Sequence, residues 1–169
     1  MQRVLVHEDV HDVGPMISEA AAERAEATVR RAVQAGARLG CGGRRTGTLL
    51  QSTVLVDPAP TDPAVCEEMF APVVSVLAYR DVADGIRLAN ATPYGLSAGV
   101  FTTSADAAFA FARGIEVGTV NVNDVSTSRV DLAPFAGIKD SGAGREGIRY
   151  AVRAFTHERL VAFALRPPV

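Results

Sequence analysis

Short apolar runs alternate along the chain with segments whose apolar residues recur at helical spacing. Leu49–Val56 and Val73–Tyr79 are rich in Val and Leu and are typical of strands, whereas Val82–Asn90 has helical spacing and ends before Thr92-Pro93. Alternation of strand, helix and strand favours an α/β layer in which helices flank a mostly parallel sheet. The sequence therefore predicts an α/β fold.

The same signals predict the bounds of the other elements. Ser18 is suited to cap one helix, and Ser104 to cap another that runs to Arg113 and ends at Gly114. The stretch 124–144 is long for a loop in a compact domain, and such loops are commonly functional. The apolar face of the first helix is predicted to be Ile17, Ala21, Ala25, Val29 and Val33. Further strands are predicted at Arg3–His7, Ala37–Cys41, Gly99–Thr102, Thr119–Asn123 and Leu160–Leu165, and further helical segments at Ala64–Met69 and Gly147–Phe155.

Composition and charge argue against several classes of function. The 169 residues fit one domain, and a formal net charge of −2 gives no reason to expect nucleic acid or an anionic membrane as partner. Cys41 and Cys66 are too few for a disulfide framework and lack the CxxC spacing of zinc sites, so a reducing compartment is expected. His7 and His11 lie in an acidic stretch that is expected to be a solvated turn, so no metal site is predicted. With no signal peptide and no apolar run of about 18 residues, the expectation is a soluble cytoplasmic protein.

Four short motifs occur in a fixed order along the chain. They are Glu67–Val73 (EEMFAPV), Ala89–Thr102 (ANATPYGLSAGVFT), Gly118–Asp124 (GTVNVND) and Pro134–Glu146 (PFAGIKDSGAGRE). Taken together, they resemble motifs of the aldehyde dehydrogenase superfamily. A fifth segment, Ser126–Phe135 (STSRVDLAPF), is similar to the branch that handles lactaldehyde, glyceraldehyde phosphate or phosphonoacetaldehyde.

The resemblance implies the C-terminal part of such an enzyme. It implies a truncated catalytic domain over residues 1–155, followed by an oligomerisation strand and tail over residues 156–169. In the family, a cysteine attacks the aldehyde, hydride passes to NAD or NADP, and a glutamate activates water to release the acid. The family positions of that cysteine, that glutamate and the cofactor domain precede Met1. No catalytic residue is therefore predicted in this chain, and it is not expected to be a competent dehydrogenase alone.

Two residues of the first motif correspond to the family's cofactor site. By that resemblance, Glu68 hydrogen-bonds the nicotinamide ribose and Phe70 packs beside the nicotinamide, so NAD or NADP is the implied cofactor. A carboxylate suits the first role because it accepts two hydroxyl hydrogens. The alternative, which the isolated motif favours, is that Glu68 caps the turn near Pro63 and Phe70 belongs to the core. Ala71 replaces a family glycine, which adds a Cβ where the backbone would need φ > 0 or a close approach.

Three residues correspond to the family's substrate funnel: Asn123, Arg129 and Phe135. Arg129 could bind a carboxylate, phosphate or phosphonate through two parallel hydrogen bonds. The alternative is an ion pair with Asp131 or Asp124 on a surface loop.

Three hypotheses of function remain open. The first is a partial aldehyde dehydrogenase that acts only if a separate chain supplies the cofactor domain and the cysteine. The second is a repurposed scaffold that binds a small molecule in the former funnel and catalyses non-redox chemistry such as cyclisation or dehydration. The third is a structural or interaction protein. The apolar strand His157–Leu165 resembles the family's oligomerisation strand, and an open strand edge is an association site, so a homo-oligomer is expected.

Overall fold

The computed structural model describes residues 13–165, which form two compact units that divide between Thr92 and Pro93. The predicted strand Arg3–His7 and the His7–His11 cluster lie outside the described residues. Within residues 13–165, no helix is long and apolar enough to cross a membrane.

The first unit contains three helices and five strands. In chain order they are α1 (Glu19–Gln34), β1 (Arg38–Cys41), β2 (Arg45–Thr46), β3 (Leu49–Leu50), β4 (Thr53–Val56), α2 (Pro63–Cys66), β5 (Val73–Val76) and α3 (Val82–Asn90).

Helix α1 begins where its cap predicts. The Ser18 side chain accepts a hydrogen bond from the backbone N–H of Ala21, at 3.2 Å. Ala21, Ala25 and Val29 are buried as predicted, whereas Val33 is only partly covered. Ile17 is 97% exposed, so its assignment to the apolar face is wrong, because it precedes the cap and lies outside the helical turn. The core that this face covers consists of Val29, Ala32, Ala37, Leu55 and Ala64.

Strand β4 is the centre of a three-stranded sheet. It pairs with β1 antiparallel and with β5 parallel, from Thr53 opposite Val73 to Val56 opposite Val76. The predicted single strand Leu49–Val56 is two strands, because Thr53 Oγ1 donates to the carbonyl of Gln51 at 2.7 Å and β3 pairs with β2 as a hairpin. The predicted strand Val73–Tyr79 ends at Val76, and it is not fully buried, since Val76 is 47% exposed.

The second unit is built around a strand–helix–strand crossover. Strands β7 (Ser97–Val100) and β8 (Thr119–Val122) are connected through helix α4 (Ala105–Gly114) and pair in parallel, while β6 (Tyr94–Gly95) and β9 (Ile138–Lys139) pair antiparallel. The α/β prediction is confirmed, with sheets that mix parallel and antiparallel pairs. The elements are β6 (Tyr94–Gly95), β7 (Ser97–Val100), α4 (Ala105–Gly114), β8 (Thr119–Val122), β9 (Ile138–Lys139) and α5 (Ile148–Ala154).

Helix α4 follows its sequence signals closely, whereas the C-terminal segment does not. The Ser104 side chain caps α4 by accepting from the N–H of Ala107 at 3.2 Å. Helix α5 starts after Gly147, whose φ is +123°, and buries none of its residues. Residues 156–165 form no strand with any other described segment, so the predicted strand Leu160–Leu165 is wrong for the single chain. A strand requires a neighbouring edge to accept its hydrogen bonds.

Candidate functional site

Glu68 lies on the segment that connects α2 to β5, and its side chain is exposed. The cap of α2 is Asp62, whose Oδ1 accepts from the N–H of Ala64 at 2.8 Å. The interpretation of Glu68 as the cap of this turn is therefore wrong. Its carboxylate is open to solvent and suited to a ligand that offers hydroxyl groups.

Phe70 projects from the same segment with 83% of its surface exposed, so its assignment to the core is wrong. Its backbone has φ +43°, a left-handed conformation that costs a bulky residue on the order of 1–3 kcal/mol. The expected strain at Ala71 is absent, because Ala71 does not share this positive φ. The segment is tied to the sheet by Thr53, whose N–H donates to the carbonyl of Pro72 at 2.8 Å.

The loop after β8 is held by side chains from two strands. The Asn121 Nδ2 donates to the carbonyl oxygens of Val125 and Ser128, at 3.0 and 3.1 Å. The Ser97 hydroxyl donates to the carbonyl of Ser126 at 2.5 Å. Asn121 corresponds to a Trp in the family motif GTVWVN that this strand resembles. Its amide N–H groups are hydrogen-bonded to the two loop carbonyls. Hydrogen bonds from strands β7 and β8 therefore hold the loop that leads to Arg129.

Asp124 adds a further constraint at the start of this loop. Hydrogen bonds from the Ser128 side chain and from the N–H of Val125 lower the pKa of the Asp124 carboxyl below its usual value. The carboxylate therefore stays ionised and accepting at neutral pH.

Arg129 packs face-on against an aromatic ring. Its guanidinium carbon lies 4.8 Å from the centre of the Phe135 ring, which is half-buried. Its Nη2 lies 3.2 Å from Oε2 of Glu146, so the ion pair predicted with Asp131 or Asp124 is formed with Glu146 instead. The Arg129 side chain remains 48% exposed, and its guanidinium can donate to an anion.

Asn123 follows β8 with a φ of +57°. Its N–H donates to the carbonyl of Val100 at 2.7 Å, and its Oδ1 accepts from the N–H of Thr102 at 2.9 Å. These contacts join the ends of the two parallel strands, and they leave the Nδ2 group as the donor available to a ligand. Of the predicted substrate residues, the structure brings Arg129 and Phe135 into contact. Asn123 instead hydrogen-bonds Val100 and Thr102 at the ends of the parallel strands.

Sequence reasoning did not foresee a cleft of about 340 Å³ in the first unit. It is lined by residues at the ends of β4, β5 and α3, among them Asp57, Arg80, Asp84 and Arg87. Arg87 and Arg80 both pair with Asp84, so this carboxylate offsets one of the two positive charges. Neither Glu68 nor Phe70 lines this cleft. No group of three metal-binding side chains occurs within the part of the chain that the structure describes.

Comparison with known proteins decides the family. The sequence profile described as the aldehyde dehydrogenase family matches residues 3–161. The chain belongs to the aldehyde dehydrogenase family. It is 42% identical over 155 residues to 3-sulfolactaldehyde dehydrogenase from Priestia aryabhattai, covering 91% of this chain and 32% of that protein.

Solved structures of the family agree. Aldehyde dehydrogenase 21 from Physcomitrella patens, in complex with the reaction product succinate, superposes with a TM-score of 0.80 at 42% identity, covering 87% of this chain and 30% of that one. Glyceraldehyde-3-phosphate dehydrogenase GapN from Methanocaldococcus jannaschii, complexed with NADP, gives a TM-score of 0.77 at 39% identity, covering 83% and 30%. The predicted resemblance of the Ser126–Phe135 loop to this branch is confirmed. The chain spans about 30% of the length of these aldehyde dehydrogenases.

Proposed function

We propose that the second unit contributes the substrate-facing residues, and the first unit the nicotinamide-facing residues, of an aldehyde dehydrogenase for a small aldehyde that carries an anionic group. The observation that carries the proposal is the half-exposed side chain of Arg129, whose guanidinium lies over the Phe135 ring. Relatives whose names specify sulfolactaldehyde and sulfoacetaldehyde, and a structure that contains succinate, support an anionic substrate class.

The geometry of Arg129 suits an anion better than a neutral group. Phe135 packs against the guanidinium carbon, and the side chain of Arg129 is 48% exposed, so its N–H groups can be reached from solvent. Donors in a guanidinium edge match the paired oxygens of a carboxylate, sulfonate or phosphonate. Hydrogen bonds from Asn121 already hold the loop that precedes Arg129. Binding of a ligand would therefore cost less conformational entropy of the loop.

The nicotinamide side of the proposal rests on Glu68 and Phe70, which lie two residues apart and are both exposed. Glu68 would accept the ribose hydroxyls, and Phe70 would pack its ring against the nicotinamide. A strained backbone that holds an apolar ring in solvent fits a residue kept in place for a ligand. When bound, NAD or NADP supplies the acceptor for the hydride of the aldehyde.

Neither cysteine serves as the nucleophile in this proposal. The Cys41 thiol donates to the carbonyl of Ser52 at 3.7 Å, and the Cys66 thiol to that of Thr61 at 3.6 Å. Donation requires the protonated thiol, whereas attack on an aldehyde requires thiolate. These 169 residues alone are therefore expected to bind ligand without oxidising it, and another polypeptide segment or chain would supply the thiol, the general base and the cofactor domain.

The proposal also includes self-association through the C-terminal segment. Leu160, Phe163 and Leu165 are 83–92% exposed. An apolar segment that pairs with no strand among residues 13–165 is suited to add to the sheet of a neighbour.

Titration with a charged and a neutral ligand of the same shape tests the proposal. Methanesulfonate and dimethyl sulfone are added to isotope-labelled protein, and the Arg129 side-chain NMR signal is followed. Saturable shifts with methanesulfonate only are expected. Equal responses to both ligands, or none to methanesulfonate, would refute the anionic substrate class. The chain can also be mixed with NADP and succinate semialdehyde. Appearance of reduced cofactor would refute the proposal that the nucleophilic thiol comes from another polypeptide segment or chain.

A further inference from the structure

One N–H donor group of the Arg129 guanidinium is already bound to a carboxylate of the same chain. Glu146 Oε2 lies 3.2 Å from Arg129 Nη2, although the two residues are 17 positions apart in sequence. The position of Glu146 is fixed by the backbone. Its N–H donates to the carbonyl of Phe135 at 2.7 Å, and the N–H of Phe135 donates to the carbonyl of Glu146 at 3.2 Å. The ring beneath the guanidinium and the carboxylate beside it are thus joined by a two-bond bridge.

We infer that Glu146 is an internal competitor for the anion site, so that a ligand that accepts from Nη2 of Arg129 displaces this carboxylate. The inference rests on the proposed function and adds a residue that sets the affinity and the class of anion. Arg129 and Glu146 cannot readily separate by movement of the loop, because Asn121 and Ser97 hold its backbone. The Glu146 side chain is the part that moves.

The strength of the ion pair suits a displaceable competitor. The side chains of Arg129 and Glu146 are 48% and 66% exposed, and one nitrogen–oxygen contact joins them. Exposed pairs of this kind are weak, and a released carboxylate at the surface is rehydrated. A ligand with two oxygens on one centre can form two parallel hydrogen bonds, which the single contact of Glu146 does not match. A monatomic anion such as chloride has no such advantage, and a neutral ligand gains nothing from the displacement.

Glu116 offers a matched control in the same unit. Its Oε2 pairs with Lys139 Nζ at 2.7 Å, and its side chain is 58% exposed. Glu116→Gln removes the same charge as Glu146→Gln, but from a different cation. Measurements at an ionic strength of about 0.15 M, where the screening length is about 8 Å, separate contact effects from the general loss of one negative charge.

The experiment is a methanesulfonate titration of the full chain and its variants, followed by the backbone amide NMR signals of residues 126–135, which every variant retains. Glu146→Gln is expected to lower the dissociation constant by about two- to fivefold, the range that a surface ion pair of this kind gives. Glu146→Ala, which removes the hydrogen bond as well, is expected to lower it at least as much. Glu116→Gln should leave it within error, and chloride should remain a poor competitor in the parent chain.

Unchanged or weaker binding in both Glu146 variants would overturn the inference, and so would an equal gain in Glu116→Gln. Arg129→Ala separates this failure from failure of the proposed function. If Arg129→Ala abolishes binding while the Glu146 variants bind like the parent, the anion site stands and the competitor role is wrong. If Arg129→Ala binds like the parent, the anion site itself is wrong. Amide spectra of each variant establish that the fold is kept.

Discussion

The guanidinium carbon of Arg129 lies 4.8 Å above the Phe135 ring, and the backbone of Phe135 is paired with that of Glu146. The ring, the cation and the carboxylate therefore form one unit at the end of the long loop. A second stacked arginine occurs on α4, where Arg113 lies 5.6 Å from the ring centre of Phe109, and Phe109 is 61% exposed. The two pairs share the same interaction, but only Arg129 follows a loop fixed by cross-strand hydrogen bonds.

Phe135→Leu is expected to weaken methanesulfonate binding by about two- to fivefold. The substitution keeps an apolar side chain but removes the ring face, and a cation–π contact at an exposed site contributes about 0.5–1 kcal/mol. Phe109→Leu, which removes the other stacked ring, is the control and should leave the dissociation constant unchanged. An NMR titration of the two variants makes the comparison, and equal affinities would show that the ring does not orient Arg129.

Gly118→Ala is expected to destabilise the second unit by about 3 kcal/mol or more. A Cβ at Gly118 would overlap the carbonyl oxygen of Ala136, and a backbone atom cannot turn aside as a side chain can. Gly144 has open space around it and no positive φ, so Gly144→Ala is the matched control and should change stability little. Urea unfolding of both variants measures the difference. A Gly118→Ala chain as stable as the parent would show that β8 does not pass this close to residue 136.

Asp84→Asn is expected to lower the thermal unfolding midpoint at neutral pH and to lose this effect in acid. Hydrogen bonds from Arg87 and then from Arg80 lower the pKa of the Asp84 carboxyl to about 2. Because the folded pKa is below the value of about 3.9 in an unfolded chain, the stabilisation is present above that value. It declines as pH falls towards the folded pKa. Unfolding midpoints measured from pH 7 down to about 2 should therefore converge for the two proteins. Asp106→Asn, at an exposed position of α4, is the control, and a gap that stayed constant with pH would contradict this account.

Phe163→Glu is expected to abolish self-association of the chain. Phe163 is 83% exposed, and a carboxylate in the middle of an added strand would be buried without a partner. Phe101→Glu, at an apolar position that is 67% exposed elsewhere in the same unit, should leave the oligomer intact. Sedimentation velocity distinguishes the two outcomes. A parent chain that sediments as a monomer would remove the proposed role of the C-terminal segment.

Local signals predicted the helices well. Ser18 and Ser104 cap the helices that they were expected to cap, because a cap is a contact between residues three positions apart. The predicted apolar face of α1 wrongly included Ile17. The periodic apolar pattern extends to Ile17, but the backbone becomes helical only at Glu19. Periodicity alone does not distinguish a residue before the cap from one after it.

Contacts between distant segments could not be predicted. The exposure of Phe70 and its left-handed backbone depend on how the chain enters β5, which no local pattern specifies. The pairing of Arg129 with Glu146 joins two motifs that were recognised separately, whereas Asp131 was only the nearer acid in sequence. The strand expected at Leu160–Leu165 requires an edge that no described segment of the chain provides. The motifs themselves indicated the family, and the family profile over residues 3–161 and the relative at 42% identity confirm it.

The most direct test of the account is a methanesulfonate titration of Arg129→Ala beside Arg113→Ala. Both substitutions remove one cation stacked on a phenylalanine in the second unit, so general charge and packing effects are matched. Loss of a charged hydrogen-bond donor to an anion is expected to weaken binding by about tenfold or more in Arg129→Ala. Arg113→Ala should bind like the parent. Equal affinity in Arg129→Ala and the parent chain would contradict the assignment of this loop as the anion-binding wall of an aldehyde dehydrogenase site.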